Sequence, residues 1–240
     1  MAGLITNDIH IYNRRQPMLG IIGGTSLLYA DLPETKKKVV PTPFGPAEIH
    51  EGEIMLLMRH QFNTPPHRIN FPACLSALKL SGVSRIIAFG SVGSLNKSIG
   101  PGSIVLPDDY LSMSTIPTIY ESTIGHASPS IDMNLHGELS HIVPEAVKKG
   151  TYVQTDGPRL ETRAEIRALK DLGDVVGMTV ASEATIANEL EIPFAAVCMV
   201  DNFCHGLGAD ELSYDYILEK SRSNKERTES ILKEIIEKLA

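Results

Sequence analysis

Several features that mark whole classes of protein are missing from this sequence. It has no long run of Lys and Arg, and its formal net charge is −7 at pH 7. A nucleic-acid partner is therefore not expected, because binding that backbone requires a clustered basic surface. No apolar run approaches the roughly 20 residues that a membrane-spanning helix needs, so no membrane partner is expected. A small anionic substrate would have to be bound by local hydrogen-bond donors rather than by the overall charge.

Cysteines are also few, and they are not arranged as metal ligands. The spacing of Cys74, Cys198 and Cys204 fits no metal motif, so the sequence predicts no metal site. Residues 1–17 contain no apolar core of a secretory signal. An odd number of cysteines without such a signal is typical of the reducing cytoplasm. We expect a cytoplasmic protein in which residues 1–17 form an N-terminal extension and residues 18–240 form a single domain.

The sequence contains short apolar runs that alternate with segments of helical spacing. Strands are predicted at 18–22, 36–40, 47–50, 54–58, 85–89, 104–106, 150–154, 175–176 and 193–200. Helices are predicted at 71–80, from 161 to about 172, at 181–190 and from 211 to 240, with an irregular stretch at 107–129. In a chain of 240 residues this alternation predicts one α/β domain with a mixed sheet flanked by helices.

Five predicted strands end in small or polar residues, and ligands of α/β sheets collect at that edge. The ends are Gly23-Gly24-Thr25, Arg59-His60, Gly90-Ser91, Met178-Thr179 and Asp201-Asn202. A phosphate site needs backbone N–H groups, hydroxyls and a guanidinium, and the candidates are Thr25, Arg59, His60, Ser91 and Thr179. Taken singly, the glycines are typical of a tight turn and the Arg-His pair of a solvated strand end. Only the joint pattern indicates a phosphate site.

Three segments resemble the trimeric purine nucleoside phosphorylases and methylthioadenosine phosphorylases. Residues 150–179, GTYVQTDGPRLETRAEIRALKDLGDVVGMT, are similar to the family signature GTY…GP…ET…E…GM. Residues 20–28, GIIGGTSLL, resemble IIGGTGL, with Ser26 in place of a glycine. Residues 59–95 resemble RH…PPHRINY…VGSL, although the loop at 61–64 is shorter and lacks a second histidine. The resemblance is closest to the methylthioinosine, or 6-oxopurine, phosphorylase type.

The resemblance implies a fold, a reaction and an assembly. The fold is a single-domain phosphorylase-type α/β fold whose central mixed sheet is partly barrel-like and flanked by helices. The reaction is phosphorolysis, in which a purine nucleoside and inorganic phosphate give a free purine and a sugar 1-phosphate. Phosphate is then a co-substrate, no cofactor is needed, and a homotrimer or hexamer is expected. The hydroxyl of Thr25 inherits a phosphate contact.

In this family the segment after the last core strand binds the purine base and determines which purine is accepted. Alignment of that strand puts Asn202 in the first discriminating position and Cys204 in the second. An Asn amide can donate to O6 and N7 of a 6-oxopurine, whereas an Asp can do so only when protonated. Glu161 would accept a hydrogen bond from the base N1–H. Shifting the alignment by one residue would instead make Asp201 the reader; otherwise Asp201 stands where the family usually has a Thr.

The resemblance assigns three further nucleoside contacts: Met178, Leu160 and His126. Met178 would pack beneath the ribose or the base, although a plain core methionine is the alternative. His126 aligns with a histidine that methylthioadenosine phosphorylases offer to the 5′-methylthio group of a neighbouring subunit, and a solvated loop histidine is the alternative. Together with a 6-oxopurine reader, this favours 5′-methylthioinosine as substrate, with inosine and guanosine as further substrates.

Other functions stay open at the level of sequence. A 5′-methylthioadenosine phosphorylase is the alternative if Asp201 reads the base. A non-catalytic nucleoside-binding protein, or a family member that has lost activity, could use the same fold, because a fold does not determine function. Polar residues at nearly every predicted strand end favour an enzyme. A calcium-dependent nucleoside hydrolase is disfavoured because no clustered DxDxxxDD-type run occurs.

Overall fold

The computed structural model describes residues 18–208 and 213–240. Its strands are β1 (Met18–Gly23), β2 (Lys36–Val40), β3 (Ala47–Glu51), β4 (Met55–Met58), β5 (Val83–Ser94), β6 (Ile104–Val105), β7 (Asp109–Ser112), β8 (Thr151–Gln154), β9 (Val175–Gly177) and β10 (Phe194–Phe203). Its α-helices are α1 (Phe71–Leu80), α2 (Met133–Ile142), α3 (Arg163–Leu169), α4 (Val180–Glu189), α5 (Tyr214–Ser223) and α6 (Lys225–Leu239). The extension predicted at residues 1–17 lies outside the described residues.

All these strands belong to one mixed sheet that forks at β5. The pairing order is β2-β3-β4-β1-β5-β9-β8-β7, and β10 pairs with both β5 and β6. β5 is long enough to pair with β1 along its first half, with β10 from Ile86 to Ser94 and with β9 at its end. The short segment between β6 and β7 connects the two branches along the chain.

Four parallel strands bring their carboxyl ends to one edge of the sheet. β1 lies between β4 and β5, and β10 lies on the other side of β5. In this register Gly23 is paired with Met58, and Ser91 with Met199. β9 runs antiparallel to β5, with Val176 opposite Gly93. The chain that leaves β9 therefore runs back from the carboxyl end of β5. The predicted polar strand ends therefore converge on one region of the molecule.

Local sequence signals and burial explain how the elements that carry this region are fixed. β1 and β10 are almost continuously buried, as expected for parallel strands with both faces covered. Helix α1 packs against α4, and α2 packs against α6. Helix α3 begins with a capping box between Thr162 and Glu165. This box fixes the start of α3 directly after Glu161.

The predicted α/β fold with a mixed sheet flanked by helices is confirmed. Helix α1 has the predicted bounds, whereas β5 and β10 extend beyond their predicted ends. Strand β7 lies in the stretch expected to be irregular, and helix α2 follows it without having been predicted. The predicted terminal helices are α5 and α6, and residues 211–212 lie outside the described residues. Across 18–208 and 213–240, no helix is both long enough and apolar enough to cross a membrane.

Candidate active site

Arg59 lies at the centre of the converging strand ends and is buried, with 3% of its surface exposed. Its backbone N–H donates to the carbonyl oxygen of Gly23 over 2.9 Å, which joins the ends of β4 and β1. Its side-chain Nε and Nη2 donate to the two carboxylate oxygens of Glu183 at 2.7 and 3.0 Å. Nη1 donates to the Phe89 carbonyl at 2.8 Å. The alternative of a solvated strand end is therefore wrong for Arg59.

Three of the five N–H groups of this guanidinium are thus used inside the protein. The other two N–H groups have no partner among the described residues, so they can donate to a ligand. The ideal Cβ of a residue at Gly24 would lie 2.5 Å from Nη1, so only a glycine lets the turn after β1 approach the guanidinium this closely. The free donors of Arg59 and the turn that carries Thr25 are therefore neighbours, as a phosphate site requires.

Glu183 is the partner that sequence reasoning missed. It lies in the first turn of α4 with 1% of its surface exposed. Burial raises its pKa above the usual value, and the Arg59 charge and hydrogen bonds act in the opposite direction. The signal that could have revealed it is a single acidic residue inside the otherwise apolar and small-residue start of α4. A buried carboxylate needs a partner, and the buried arginine supplies it.

Thr179 is the N-terminal cap of α4 and is buried. The backbone N–H groups of Thr179 and Val180 both point at the hydroxyl oxygen of Tyr152, at 3.2 and 3.3 Å. Burial raises the pKa of Tyr152, so this phenol is neutral at physiological pH. The Thr179 side chain makes no capping hydrogen bond. Its hydroxyl is thereby available at the start of a helix, where an anion is favoured.

His60 is held by its own loop. Its Nδ1 lies 2.9 Å from the carbonyl oxygen of Thr64. A carbonyl can only accept, so Nδ1 carries the proton in this contact. Burial, and then the charge of Arg59, lower the pKa of His60, while the Thr64 hydrogen bond raises it. A neutral His60 in this tautomer offers Nε2 as an acceptor, so it suits a phosphate that still carries a proton.

Ser91 is turned towards Asp201 rather than into open space. Its hydroxyl donates a hydrogen bond to Oδ2 of Asp201, which is 2% exposed. The pairing of β5 with β10 shifts register between Val200 and Asn202, so Asp201 is the extra residue of a β-bulge. Asn224, at the junction of α5 and α6, donates to Oδ1 of Asp201 at 3.4 Å. Both carboxylate oxygens of Asp201 therefore have partners within the protein.

Asn202 and Cys204 lie on the same side of the chain, next to Gly93. A Cβ at Gly93 would lie 2.7 Å from Sγ of Cys204 and 3.1 Å from Nδ2 of Asn202. Nδ2 of Asn202 donates to the Phe203 carbonyl at 3.0 Å, which leaves its second hydrogen and its side-chain oxygen for a ligand. The Cys204 side chain is buried in a small apolar cluster that includes Val176. Burial, and secondarily the charge of Glu161, raise the pKa of Cys204.

Glu161 is buried at the junction between β8 and α3. Its Oε1 accepts a hydrogen bond of 2.6 Å from the Thr155 hydroxyl. Its backbone carbonyl oxygen lies 2.7 Å from Nδ1 of His205, just beyond β10. This contact ties the Glu161 loop to the end of the strand that carries Asn202. Oε2 of Glu161 has no hydrogen-bond partner in the described ranges and can accept one from a ligand.

The remaining predicted nucleoside contacts differ in their placement. Met178 is half-buried and packs on Gly157, in the loop between β8 and α3. Leu160 is half-buried in the same loop. His126 lies on an exposed loop between β7 and α2, near Ile124, which is 97% exposed. A single chain thus packs Met178, which follows β9, against the loop that carries Leu160 and Glu161, but leaves His126 on the surface.

The described residues contain no cluster of three or more His, Cys, Asp or Glu side chains arranged to hold a metal ion. The three cysteines are buried and unpaired. Burial raises the pKa of Cys74 and Cys198 to about 12, so both thiols are neutral at physiological pH. The polar groups of the site are therefore hydroxyls, amides, one guanidinium and carboxyl groups, which suit hydrogen bonding to an anion and a heterocycle.

Comparisons with known proteins show the family to which the chain belongs. The phosphorylase superfamily profile matches residues 18–237. A probable 6-oxopurine nucleoside phosphorylase of Archaeoglobus fulgidus is 39% identical, covering 92% of this chain and 97% of the relative. A probable S-methyl-5′-thioinosine phosphorylase of Methanocaldococcus jannaschii is 36% identical over 91% and 92% of the two chains. The 6-oxopurine nucleoside phosphorylase of Pyrococcus furiosus is 34% identical over 88% of each.

A solved structure shares the fold at lower identity. The methylthioadenosine phosphorylase of Schistosoma mansoni, in complex with adenine, superposes with a TM-score of 0.83 and 23% identity. The likeness covers 93% of this chain and 92% of that one. Such a likeness shows that the arrangement of strands and helices is shared, whereas base preference depends on individual side chains.

Proposed function

This chain belongs to the phosphorylase superfamily and is a purine nucleoside phosphorylase, and from that premise we propose that it acts on 6-oxopurine nucleosides, with 5′-methylthioinosine as preferred substrate. Inosine and guanosine are the further substrates in this proposal. The products are the free purine and ribose 1-phosphate or its 5-methylthio derivative. The observation that carries the base preference is Asn202 at the carboxyl end of β10, with a free amide hydrogen and a free side-chain oxygen.

Two side chains recognise the purine base in the proposed site. Asn202 donates to the purine O6 or N7, and Glu161 accepts from N1–H through its free Oε2. Adenine lacks N1–H, so Glu161 would lose its donor and its carboxylate would face the N1 lone pair. The position of Asp201 supports this choice, because both its oxygens are already bonded within the protein. Cys204 packs beside Asn202, and Met178 and Leu160 supply apolar contacts to the nucleoside.

The phosphate side is built from donors of different kinds. The free N–H groups of Arg59, the hydroxyls of Thr25 and Thr179, and Ser91 hold the phosphate in this proposal. His60 accepts a hydrogen bond at Nε2 from a phosphate oxygen that carries a proton. Because these groups sit at converging strand ends, the phosphate is fixed before the glycosidic bond breaks. Fixing the nucleophile in advance lowers the entropic cost of the bimolecular step.

The proposed reaction breaks the bond between C1′ and N9 and forms one between C1′ and a phosphate oxygen. Positive charge develops on the ribose and negative charge on the departing purine. The bound phosphate anion stabilises the former electrostatically. The Asn202 amide stabilises the negative charge of the departing purine until the base gains a proton at N7. This gain balances the proton that hydrogen phosphate loses when it becomes the sugar 1-phosphate. This reaction needs no organic cofactor, and inorganic phosphate is the co-substrate.

We further propose a homotrimer or a hexamer made of two trimers. The supporting observation is that His126 is exposed on the loop between β7 and α2, a surface against which a neighbouring subunit can pack. The same loop exposes Ile116, at 57%, and Ile124. Isolated exposed apolar residues are ordinary, but several on one loop favour burial against another chain. The three unpaired thiols agree with a location in the reducing cytoplasm, which we also propose.

The test is a substrate panel on the purified chain. Adenosine, inosine, 5′-methylthioadenosine and 5′-methylthioinosine are each incubated with and without phosphate, and the free base is measured. We expect phosphate-dependent release of hypoxanthine, fastest from 5′-methylthioinosine. Faster release of adenine from 5′-methylthioadenosine would contradict the assignment of Asn202. Equal release without phosphate would indicate hydrolysis, and binding without release would indicate a non-catalytic protein.

A further inference from the structure

The β-bulge at Asp201 connects the proposed phosphate edge to the C-terminal helices. Asp201 is the extra residue where β10 loses register with β5, and its carboxylate accepts from Ser91 on β5. On its other side it accepts from Asn224, between α5 and α6. The same helical pair reaches the turn after β1, where Ser221 donates to the Thr25 carbonyl over 2.7 Å. Two of the strand ends proposed to bind phosphate are thus tied to one helical junction.

The hydrogen bond between Ser91 and Asp201 determines what Ser91 can offer a ligand. A hydroxyl has one hydrogen, and when Asp201 is ionised that hydrogen is donated to the carboxylate. Ser91 then presents only lone pairs, which repel the oxygens of a phosphate dianion. When Asp201 is protonated, the carboxyl O–H can donate to the Ser91 oxygen instead. The Ser91 hydrogen is then free for a phosphate oxygen.

We propose that Asp201 is a positioning residue of the phosphate site, which takes up one proton from solvent when phosphate binds and thereby turns the Ser91 hydroxyl into a donor. This inference rests on the proposed function, because it concerns the phosphate of that reaction. It adds a residue that need not touch either substrate and that acts through Ser91. It also predicts that phosphate binding weakens as the pH rises.

Burial places the carboxyl group in the range where this exchange can occur. Desolvation raises the pKa of Asp201 to about 6, and the hydrogen bonds from Ser91 and Asn224 act in the opposite direction. The groups that face its carboxylate from β5 and from the helical junction are these two uncharged side chains. Cys198, three residues before Asp201 on β10, carries a neutral thiol, because burial raises its pKa to about 12.

Charged side chains beside the helical junction are directed elsewhere. Arg222 lies over the ring of Tyr29, with its guanidinium carbon 4.9 Å from the ring centre. Lys225 pairs with Asp31 at 3.5 Å and with Glu229 at 3.4 Å. Protonation of Asp201 is therefore governed by its burial and by the two hydrogen bonds.

The experiment compares the wild type with Asp201→Asn, which keeps the shape and stays neutral at every pH. The Asn amide can donate permanently to the Ser91 oxygen and accept from Asn224. We expect the phosphate KM of the wild type, relative to the variant, to rise about tenfold between pH 5.5 and 8, on the scale of one hydrogen bond to an anion. Inorganic phosphate also titrates in this range, but its contribution cancels in the ratio. Parallel pH profiles for the two proteins would overturn the proposal.

A second measurement does not depend on turnover. Calorimetric titration with inorganic phosphate, in two buffers of different ionisation enthalpy, counts the protons taken up on binding. At pH 7 the wild type should take up more protons than Asp201→Asn, and equal uptake would overturn the proposal. A circular dichroism melt of each protein establishes that the variant is folded before either comparison is made.

Ser91→Ala separates positioning from simple charge repulsion. If Asp201 acts through Ser91, adding Asp201→Asn to Ser91→Ala should leave the phosphate KM unchanged within about twofold, because additivity fails when one residue acts through another. A full pH effect that persists in the Ser91→Ala background would overturn the positioning role. Failure of the proposed function would look different: the wild type would release no purine in a phosphate-dependent manner at any pH.

Discussion

The buried pair of Arg59 and Glu183 allows stability and phosphate use to be separated by mutation. The two side chains are 3% and 1% exposed and share two hydrogen bonds of 2.7 and 3.0 Å. Removing one member of such a pair leaves an uncompensated buried charge and costs about 3–5 kcal/mol of folding free energy. We expect Arg59→Met and Glu183→Leu each to lower the free energy of unfolding by about this amount.

The double variant Arg59→Met/Glu183→Leu should behave differently. Replacing both charges with apolar side chains of similar volume is often neutral or stabilising, so most of the lost stability should return. Phosphate binding should not return, because the guanidinium donors are still absent. A hydrogen bond to a charged group contributes about 1.5–3 kcal/mol, which corresponds to a phosphate KM at least tenfold higher.

Glu183→Leu on its own provides the complementary observation. It retains Arg59 but removes the carboxylate that neutralises and orients it, so added phosphate can act as the missing counter-charge. Phosphate should therefore raise the melting temperature of Glu183→Leu by more than it raises that of the wild type. The measurements are denaturant titrations, thermal melts with and without phosphate, and phosphate KM. A double variant with wild-type phosphate KM would refute the role of Arg59, and one as unstable as the single variants would refute the pairing argument.

Three further predictions concern the base, the assembly and the buried acid. Asn202→Asp should shift the ratio of inosine-type to adenosine-type nucleoside cleavage towards adenosine by about 10²-fold. An unchanged ratio would show that Asn202 does not determine the base preference. Light scattering should show an active species of three subunits or a multiple of three; an active monomer would exclude a role for His126 across a subunit boundary. The pKa of Asp201 is raised from 3.8 to about 6 in the folded state, so its stabilising contribution is complete below pH 3.8 and is lost as the pH rises through 6. Asp201→Asn should therefore be more stable than the wild type at pH 8, and melt at a higher temperature, but not at pH 4. The expected gain in the free energy of unfolding at pH 8 is roughly 2–3 kcal/mol, at 1.4 kcal/mol per pH unit. Equal melting temperatures at pH 8 would contradict the raised pKa.

Elements with a clear apolar pattern could be predicted from sequence. Helix α1 matches its predicted range because its apolar residues recur at helical spacing between the Asn70 cap and the turn at Gly82. Strand β7 was not predicted, because its four residues are exposed or half-exposed and show no buried-strand pattern. It forms because β8 offers a parallel edge from Thr151 to Gln154. That pairing joins residues far apart in sequence and leaves no local trace.

The predicted phosphate residues follow strands whose order was unknown, yet the parallel arrangement brings their ends together. The partners of these residues were not predictable in the same way. Glu183 and Arg59 are 124 positions apart, and Asp201 and Ser91 are 110 apart. Only the packing of α4 and the bulge in β10 bring each pair into contact. The sequence thus allowed ligand-binding groups to be proposed, whereas the internal partners of those groups became visible only in the structure.

The proposed phosphate site carries several donors but little net charge. The guanidinium of Arg59 is already balanced by Glu183, and burial favours the neutral form of His60. Phosphate would therefore be bound mainly by directed N–H and O–H groups, in keeping with a chain whose net charge is −7. A strongly cationic pocket would neutralise the nucleophile and weaken its attraction for the positive charge that develops on the ribose. A balanced pocket leaves the charge of the anion available to the transition state, where electrostatic stabilisation contributes most to the rate. In this proposal the internal carboxylates therefore serve the same reaction as the donors that they orient.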